Sequence, residues 1–369
     1  MKLPGSISRR RVAVAVAFLL ATTTAAVFAA GLLETLDQEV SAIYEKSKDA
    51  IVKVHAEIQF RVGNLSFVPL HRIGTGFFVD KDGHLLTSAT VVDGAERCWI
   101  DWRGQRIGAR IIGRDLQTNL ALLKINPGTN VATPFLPQGN SDDLHAGSMV
   151  IAIGFPYDMS SAPVMGFIGG LDIQRGGRVF ATSHIRAACR LSPGQSGGPL
   201  LNARGEVIGI AVAAHMEDQC YALPINAARK VYTDILQYGR PQYAWVGLGI
   251  TERHRVSPET GEEDSRVLVQ QVYSNAPAAH AGFCEGDVLV RVGTNEVRSS
   301  ADVLNTMFYC HAGDKMEFTV LRDGQEHKIA LVAGTRPPEE LAVARPLSSP
   351  ELPQRQPPGL TIVPAVHEP

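Results

Sequence analysis

The 369-residue chain lacks most of the features that would assign it quickly. It has only five cysteines, Cys98, Cys189, Cys220, Cys284 and Cys310, and they are scattered without metal-ligand spacing. No metal or other cofactor is therefore expected. One cysteine at least stays unpaired within a monomer, and no disulfide framework is predicted. There is no excess of charge of one sign: the net charge is −2, so the whole-chain field gives no reason to expect a nucleic-acid partner. Beyond residue 32 there is no long apolar run. What remains is 45% hydrophobic, 20% charged and rich in glycine, as in a globular protein of many short strands and tight turns. The length allows about two or three domains.

The one long uncharged run comes after a cationic start, MKLPGSISRRR, and reads VAVAVAFLLATTTAAVFAAGLL. That order is the grammar of a secretory signal, with a cleavage site after Ala29. At about 20 residues the run is also long enough to cross a bilayer, so an uncleaved membrane anchor is the alternative. Ser8-Arg9-Arg10 hints at twin-arginine export, but the residues after Arg10 match that signal poorly. Either way, residues 1–31 place the body outside the cytoplasm, in the periplasm or cell envelope.

Residues 32–50 carry Leu33, Leu36, Val40, Ile43 and Tyr44 at helical spacing and predict an amphipathic helix. From residue 51 to about 240, short apolar stretches such as GTGFFVD, HLLTSATVV, LALLKI, GSMVIAIGF and GEVIGIAVAA alternate with Gly, Asp and Asn turns. Such spacing predicts an all-β barrel or sandwich, closed by a helix in NAARKVYTDILQYG. The stretch QFRVGNLSFVPLHR, Gln59–Arg72, reads as a short connection between the first two strands. Residues 241–335 form a second, mixed unit, with strands near Val267–Val272, Asp287–Val292 and Glu317–Leu321 and a helix near Ser300–Tyr309. Residues 336–369 carry recurrent prolines without apolar period and read as a disordered or polyproline-like tail.

One segment stands out chemically. LSPGQSGGPLLN, Leu191–Asn202, sets Ser196 on a turn of small residues. A serine is a weak nucleophile unless a base takes its proton, or it persists there only because a small residue fits the turn.

In order along the chain, GTGFFVDKDGHLLT, VVDGAE, LQTNLALLKI, MVIAIGFP, SPGQSGGPLLN, GEVIGI and ALPIN resemble successive parts of the HtrA/Deg envelope serine proteases. SNAPAAHAGFCEGDVLVRVGTNEV resembles the PDZ signature. The resemblance runs from Leu33 to Gly334. It implies a mostly β chain: a trypsin-like double six-stranded β-barrel followed by an α+β PDZ domain. It also implies a homotrimer, or a mixed trimer with active relatives, while the short Gln59–Arg72 stretch implies no long loop of the kind that builds larger cages.

Against the family pattern, two of three triad positions are changed. Where the family reads Thr-Asn-Asn-His-Val-Val, this chain has Thr87-Ser88-Ala89-Thr90-Val91-Val92, with Thr90 at the histidine position. The aspartate position is Asn119, in TNLALLK. Ser196 alone matches. His84 lies six residues before Thr90, at the other end of the same expected strand; His71 is further back. Asp93 and Asp115 match ordinary features of the family motifs. A threonine hydroxyl cannot accept a proton at neutral pH. Losing the histidine of such a triad costs about 10⁶ in turnover, roughly 8 kcal/mol, and that loss decides the matter alone because triad members act as a unit. Asparagine for the aspartate costs about 10⁴.

The binding parts are retained. Gly194 and Ser196 match the family's oxyanion-hole donors, which need no base. Trp245–Ile250 resembles the PDZ carboxylate-binding loop, either as Gly247-Leu248-Gly249-Ile250 or as Trp245-Val246-Gly247-Leu248. Val246, Gly247, Leu248, Gly249 and Ile250 are thus candidate peptide-binding residues, and a peptide would add a strand to the sheet edge. RHRVSPETGEEDSR reads as a lengthened, solvated loop. The expected function is an HtrA-like binder of unfolded or C-terminal peptides in protein quality control. The alternatives are a serine endopeptidase with a base supplied by substrate or a neighbouring subunit, and a structural envelope component whose PDZ-like unit is a spacer.

Overall fold

The computed structural model describes residues 33–62, 66–125, 132–175, 178–215, 219–256 and 263–337. The expected signal or anchor (1–31) and nearly all of the expected tail (336–369) lie outside the described residues. Among the described residues no helix is long and apolar enough to cross a membrane.

The chain divides into two compact units, the second beginning at Tyr243. The first opens with helix α1 (residues 33–47), on which Ile43 is buried while Leu33, at the start of the expected apolar stripe, is 68% exposed. A short 3₁₀ turn, Lys48–Ala50, leads into β1 (Ile51–Val62). Five further strands come next: β2 (Ser66–Phe78), β3 (His84–Ser88), β4 (Ala95–Trp102), β5 (Gln105–Asp115) and β6 (Leu120–Ile125). They close a barrel in the order β1-β2-β3-β6-β5-β4. Period-two alternation does the sorting. Val52, Val54 and Ala56 of β1 enter the core while Lys53 and His55 lie on the other face, His55 buried against His71 and Trp99. β6 is apolar at almost every position and is buried nearly throughout.

The second barrel repeats the closure with β7 (Met149–Gly154), β8 (Ala162–Arg175), β9 (Arg178–Ala188), β10 (Pro199–Leu201), β11 (Val207–His215) and β12 (Gln219–Pro224). Their order is β10-β11-β12-β9-β8-β7. A one-turn helix, α2 (Ala89–Val92), comes directly after β3, and α3 (Ile225–Tyr238) ends the unit, packing on strands of both barrels. Both six-stranded barrels are therefore as expected.

Three details differ from the expectation. The stretch 59–72 is no connection: β1 and β2 pair from Ile51↔Phe77 out to Val62↔Ser66, so the strands run through it. Thr90 is not on the strand that holds His84, because β3 ends at Ser88 and Thr90 belongs to α2. The charged segment 253–266 is largely strand too, since β13 (Leu248–Val256) and β14 (Glu263–Val272) pair out to Val256↔Glu263. In both stretches the strands are revealed by their pairing register and not by local spacing.

The second unit is a sheet in the order β13-β14-β15-β17-β18, where β15 is Val288–Val292, β17 Lys315–Arg322 and β18 Gln325–Val332; β16 (Asn295–Glu296) pairs with β15. Helices α4 (Pro277–Ala281) and α5 (Ser300–Phe308) accompany it. Asp302 holds the start of α5 by accepting from the Ser299 N–H at 2.8 Å. The core gathers Val267, Val269, Phe283, Leu289, Phe318 and Val320.

One charge is set into this unit. The Asp287 side chain is fully buried and accepts from Arg322 Nε at 2.7 Å and Nη2 at 2.8 Å and from the Cys284 N–H at 2.9 Å. Burial alone would raise its pKa, but the Arg322 guanidinium and the Cys284 N–H outweigh it and hold the carboxyl below the usual range. Arg322→Met would leave that carboxylate buried and unpaired, which is expected to destabilise the second unit by about 3 kcal/mol. Denaturant unfolding followed through the second unit measures it; an unchanged midpoint would contradict this account.

Candidate functional site

The three positions singled out in the sequence come from different elements of the first unit. Ser196 sits on the turn between β9 and β10, Thr90 in α2, and Asn119 just before β6. Asn119 has φ +60°, a left-handed backbone that Asn and Asp tolerate better than most residues. The asparagine at 119 thus suits its backbone.

The Asn119 amide is pinned on both ends. Its Oδ1 accepts from the Thr90 N–H at 2.8 Å and from the Ser88 hydroxyl at 3.0 Å, while its Nδ2 donates to the Val212 carbonyl at 2.7 Å. A backbone donor on one side and a carbonyl on the other fix which end is oxygen. The protons can then be counted. Ser88 Oγ has one, and it goes to Asn119 Oδ1. The 2.8 Å contact between Ser88 Oγ and Thr90 Oγ1 is therefore donated by Thr90. The Thr90 hydroxyl proton points at Ser88, and the trio contains no group that titrates near neutrality. Ser88, fully buried, was not singled out in the sequence. Its hydroxyl is two residues from the histidine position, and only the folded contact reveals it.

Nearby histidines are committed elsewhere. His84 Nδ1 is 2.6 Å from Asp80 Oδ2. His71 lies within β2, its Nε2 3.1 Å from His55 Nδ1, and His55 Nε2 is 2.8 Å from Asp101 Oδ2. His55 and His71 stack with each other and with Trp99. Burial lowers the His55 pKa, against the pull of Asp101. His184 is buried against Phe180, its Nδ1 2.9 Å from the Thr182 carbonyl. Asp115 accepts from Gln117 and Thr118 in its own turn, and Asp93 pairs with Arg114 at 2.9 Å. Neither aspartate belongs to the Ser196 site.

The loop around Ser196 is firmly built. Thr75, fully buried on β2, donates its N–H to the Ser196 carbonyl at 2.8 Å and its hydroxyl to the Gly194 carbonyl at 2.8 Å. The Pro193 carbonyl accepts from the Tyr157 N–H at 2.7 Å. No peptide bond in the described chain is cis, and C=O and N–H of a trans peptide point in opposite directions. The Gly194 N–H is consequently turned away from Tyr157. Neither it nor the Ser196 N–H has a protein acceptor among the described residues. Only glycine fits at 194: φ is +94°, and a Cβ would lie 2.3 Å from the Phe155 carbonyl. Segment 155–158 is itself held under strain. Tyr157 and Asp158 have φ of +50° and +64°, and Lys53 clamps Asp158 through its carbonyl at 2.7 Å and its carboxylate at 2.5 Å. Lys53 and Tyr157 carried no signal in the sequence, since each acts through contacts distant along the chain.

In the second unit, Val246 and Gly247 precede β13, whereas Leu248, Gly249 and Ile250 already belong to it. The candidate loop is thus shorter than the five residues expected. Gly247 has φ +77°, and a Cβ there would meet Ala276 Cβ at 2.1 Å. Strand β13 ends the sheet order, paired with β14 on one side, and α5 lies alongside it. A cavity of about 790 Å³ lies elsewhere on this unit, between α4 and strands β17 and β18, and touches none of these residues.

Residues 74–210 match the trypsin-like peptidase domain family and residues 246–332 the PDZ domain family. A probable periplasmic serine endoprotease, DegP-like, of Pseudomonas savastanoi pv. phaseolicola is 30% identical over 275 residues, 72% of this chain and 57% of that protein. The chain thus spans little more than half of that relative's length. A putative serine protease HhoB of Synechocystis sp. is 31% identical over 284 residues, 73% of this chain and 67% of the relative. Among solved structures, the HtrA-type protease AlgW with tripeptide is similar at a TM-score of 0.68 and 26% identity, covering 81% of this chain and 98% of the other.

The Asn119 amide yields a prediction. In Asn119→Asp the carboxylate faces the Val212 carbonyl with no proton between them, so the variant should be about 1 kcal/mol or more less stable at pH 7. The facing carbonyl raises the folded-state carboxyl pKa above its unfolded value near 3.9. The deficit should then shrink as pH falls through the folded pKa, because the protonated acid donates where Nδ2 did. Urea unfolding of both proteins at pH 7 and pH 4 checks this; a deficit that grows on acidification would refute it.

Proposed function

This chain belongs to the HtrA/Deg family of trypsin-like serine proteases with a PDZ domain, and from that premise we propose that it is a member that grips peptides without cleaving them. The observation that carries this reading is the closed trio of Ser88, Thr90 and Asn119, in which hydroxyls and an amide occupy the place of imidazole and carboxylate. With no base beside it, the Ser196 hydroxyl keeps its proton and is not a nucleophile. The donors of Gly194 and Ser196 need no base. They offer a peptide carbonyl two N–H groups held in place by Thr75 and Tyr157.

The second unit supplies a further grip. A peptide lies along the open edge of β13 beside α5, adding a strand, and its terminal carboxylate is taken by backbone N–H groups around Val246, Gly247 and Leu248. The left-handed Gly247 directly before β13 favours the Trp245-Val246-Gly247-Leu248 reading of this loop. The protein is exported to the periplasm or cell envelope, as its DegP-like relatives are named, with residues 1–31 as signal or anchor. There it holds unfolded chains or exposed C-termini, as a trimer of its own or mixed with active relatives.

Two experiments test this. Chain lacking the first 32 residues should leave an unfolded casein-like substrate intact and Ser196 unlabelled by a fluorophosphonate. Thr90→His combined with Asn119→Asp should restore cleavage that Ser196→Ala then removes. Turnover in the unaltered protein that Ser196→Ala abolishes would reverse the reading. Separately, fluorescent peptides with free C-termini should bind, and Gly247→Val should weaken them at least tenfold. Equal binding of amidated peptides would assign the second unit to a spacer role.

A further inference from the structure

Neighbouring strands of the second barrel bring together two thiols that lie 31 residues apart in the sequence. Cys189, directly after β9, and Cys220, in β12, are 3% and 0% exposed, and their sulfurs are 2.8 Å apart. Cys220 pairs in register with Ala187. Cys189, two residues further along, therefore projects from the same face of the sheet. Both side chains belong to the second barrel's core with Ile168, Ile185 and Leu200. Sulfurs at this separation on one face of adjacent strands need to close by less than about 1 Å to reach a disulfide. The sulfurs of Cys284 and Cys310, by contrast, face the carbonyls of Gly282 and Thr306.

We propose that Cys189 and Cys220 are joined by a structural disulfide in the mature protein. The inference rests on the export reading above only for its setting, an oxidising compartment in which such bonds persist. The oxidant is a disulfide-carrying exchange partner of that compartment. The thiolate of one cysteine attacks the partner's disulfide, forming a mixed disulfide and releasing one of the partner's thiolates. The thiolate of the other cysteine then attacks the first cysteine's sulfur, closing the bond and releasing the partner's second thiolate. The two thiol protons go to solvent, and the partner leaves reduced by two electrons. Because both sulfurs are buried in the finished barrel, exchange takes place before the barrel closes.

The bond has a place in the function. Cys189 is seven residues before Ser196, at the root of the loop whose other contacts come from Thr75, Tyr157 and Ala211. A covalent tie to β12 fixes that root to the barrel wall. Closing a loop of this length also removes conformations from the unfolded chain.

The test uses the full chain produced with its own N-terminal segment. Cells are quenched in denaturant with an alkylating agent before any reductant is added. Peptide mapping by mass spectrometry should show the peptides of Cys189 and Cys220 joined and lighter by two hydrogen atoms, with the other three of the five cysteines alkylated. Recovery of both cysteines alkylated overturns the proposal, as does pairing of either with another cysteine. A second arm is independent of location: purified, reduced and unfolded protein is refolded with oxidised glutathione. It should yield the same pair, with a thermal midpoint about 5–10 °C above that of Cys189→Ala/Cys220→Ala. Failure of this arm overturns the pairing itself. Protease accessibility of the chain in spheroplasts, read in parallel, reports the export reading by itself.

Discussion

One side chain joins the two barrels. Asn119 accepts from the Thr90 N–H of the first barrel and donates to the Val212 carbonyl of the second. Its two polar ends match two backbone groups of opposite character. A carboxylate can satisfy only one of them; the amide satisfies both. Once it is in place, a hydroxyl at position 90 completes the network through Ser88. The three side chains at 88, 90 and 119 therefore form a single, mutually consistent hydrogen-bond arrangement.

The Ser196 loop tells the complementary story. Its order comes from groups with no part in proton transfer: the Thr75 backbone and hydroxyl, the Tyr157 N–H and the glycine at 194. Strain in segment 155–158 is balanced by Lys53, whose ammonium engages Asp158 twice and lies 5.5 Å from the centre of the Phe155 ring. Such a loop keeps its shape whether or not a base is present. The order of this loop is thus set by groups that transfer no proton.

Much of this was legible in the sequence, for identifiable reasons. Both barrels announced themselves because buried strands such as β6 must be apolar, and the turn around Ser196 because close approach admits only small residues. Positions 90 and 119 drew attention because the motifs flanking them resemble the family's. The ribbons at 59–72 and 253–266 show only in the pairing register of their strands. Ser88, Lys53, Tyr157 and the His55–His71–Asp101 cluster were missed for a different cause. Each matters only through a partner brought close by folding, and no local spacing encodes such a contact.

The same limit applied to the cysteines, where five scattered residues predicted no disulfide framework and left any single pairing open. Spacing along a chain says little about sulfurs on adjacent strands, since a barrel returns to the same wall after a few dozen residues. Cys189 and Cys220 meet because β9 and β12 are neighbours in the closed order, and closure itself is what the alternating apolar pattern drives. The route from residues to chemistry thus runs through the barrel twice. It brings an amide and two hydroxyls into one network, and it brings two thiols together in the second barrel's core.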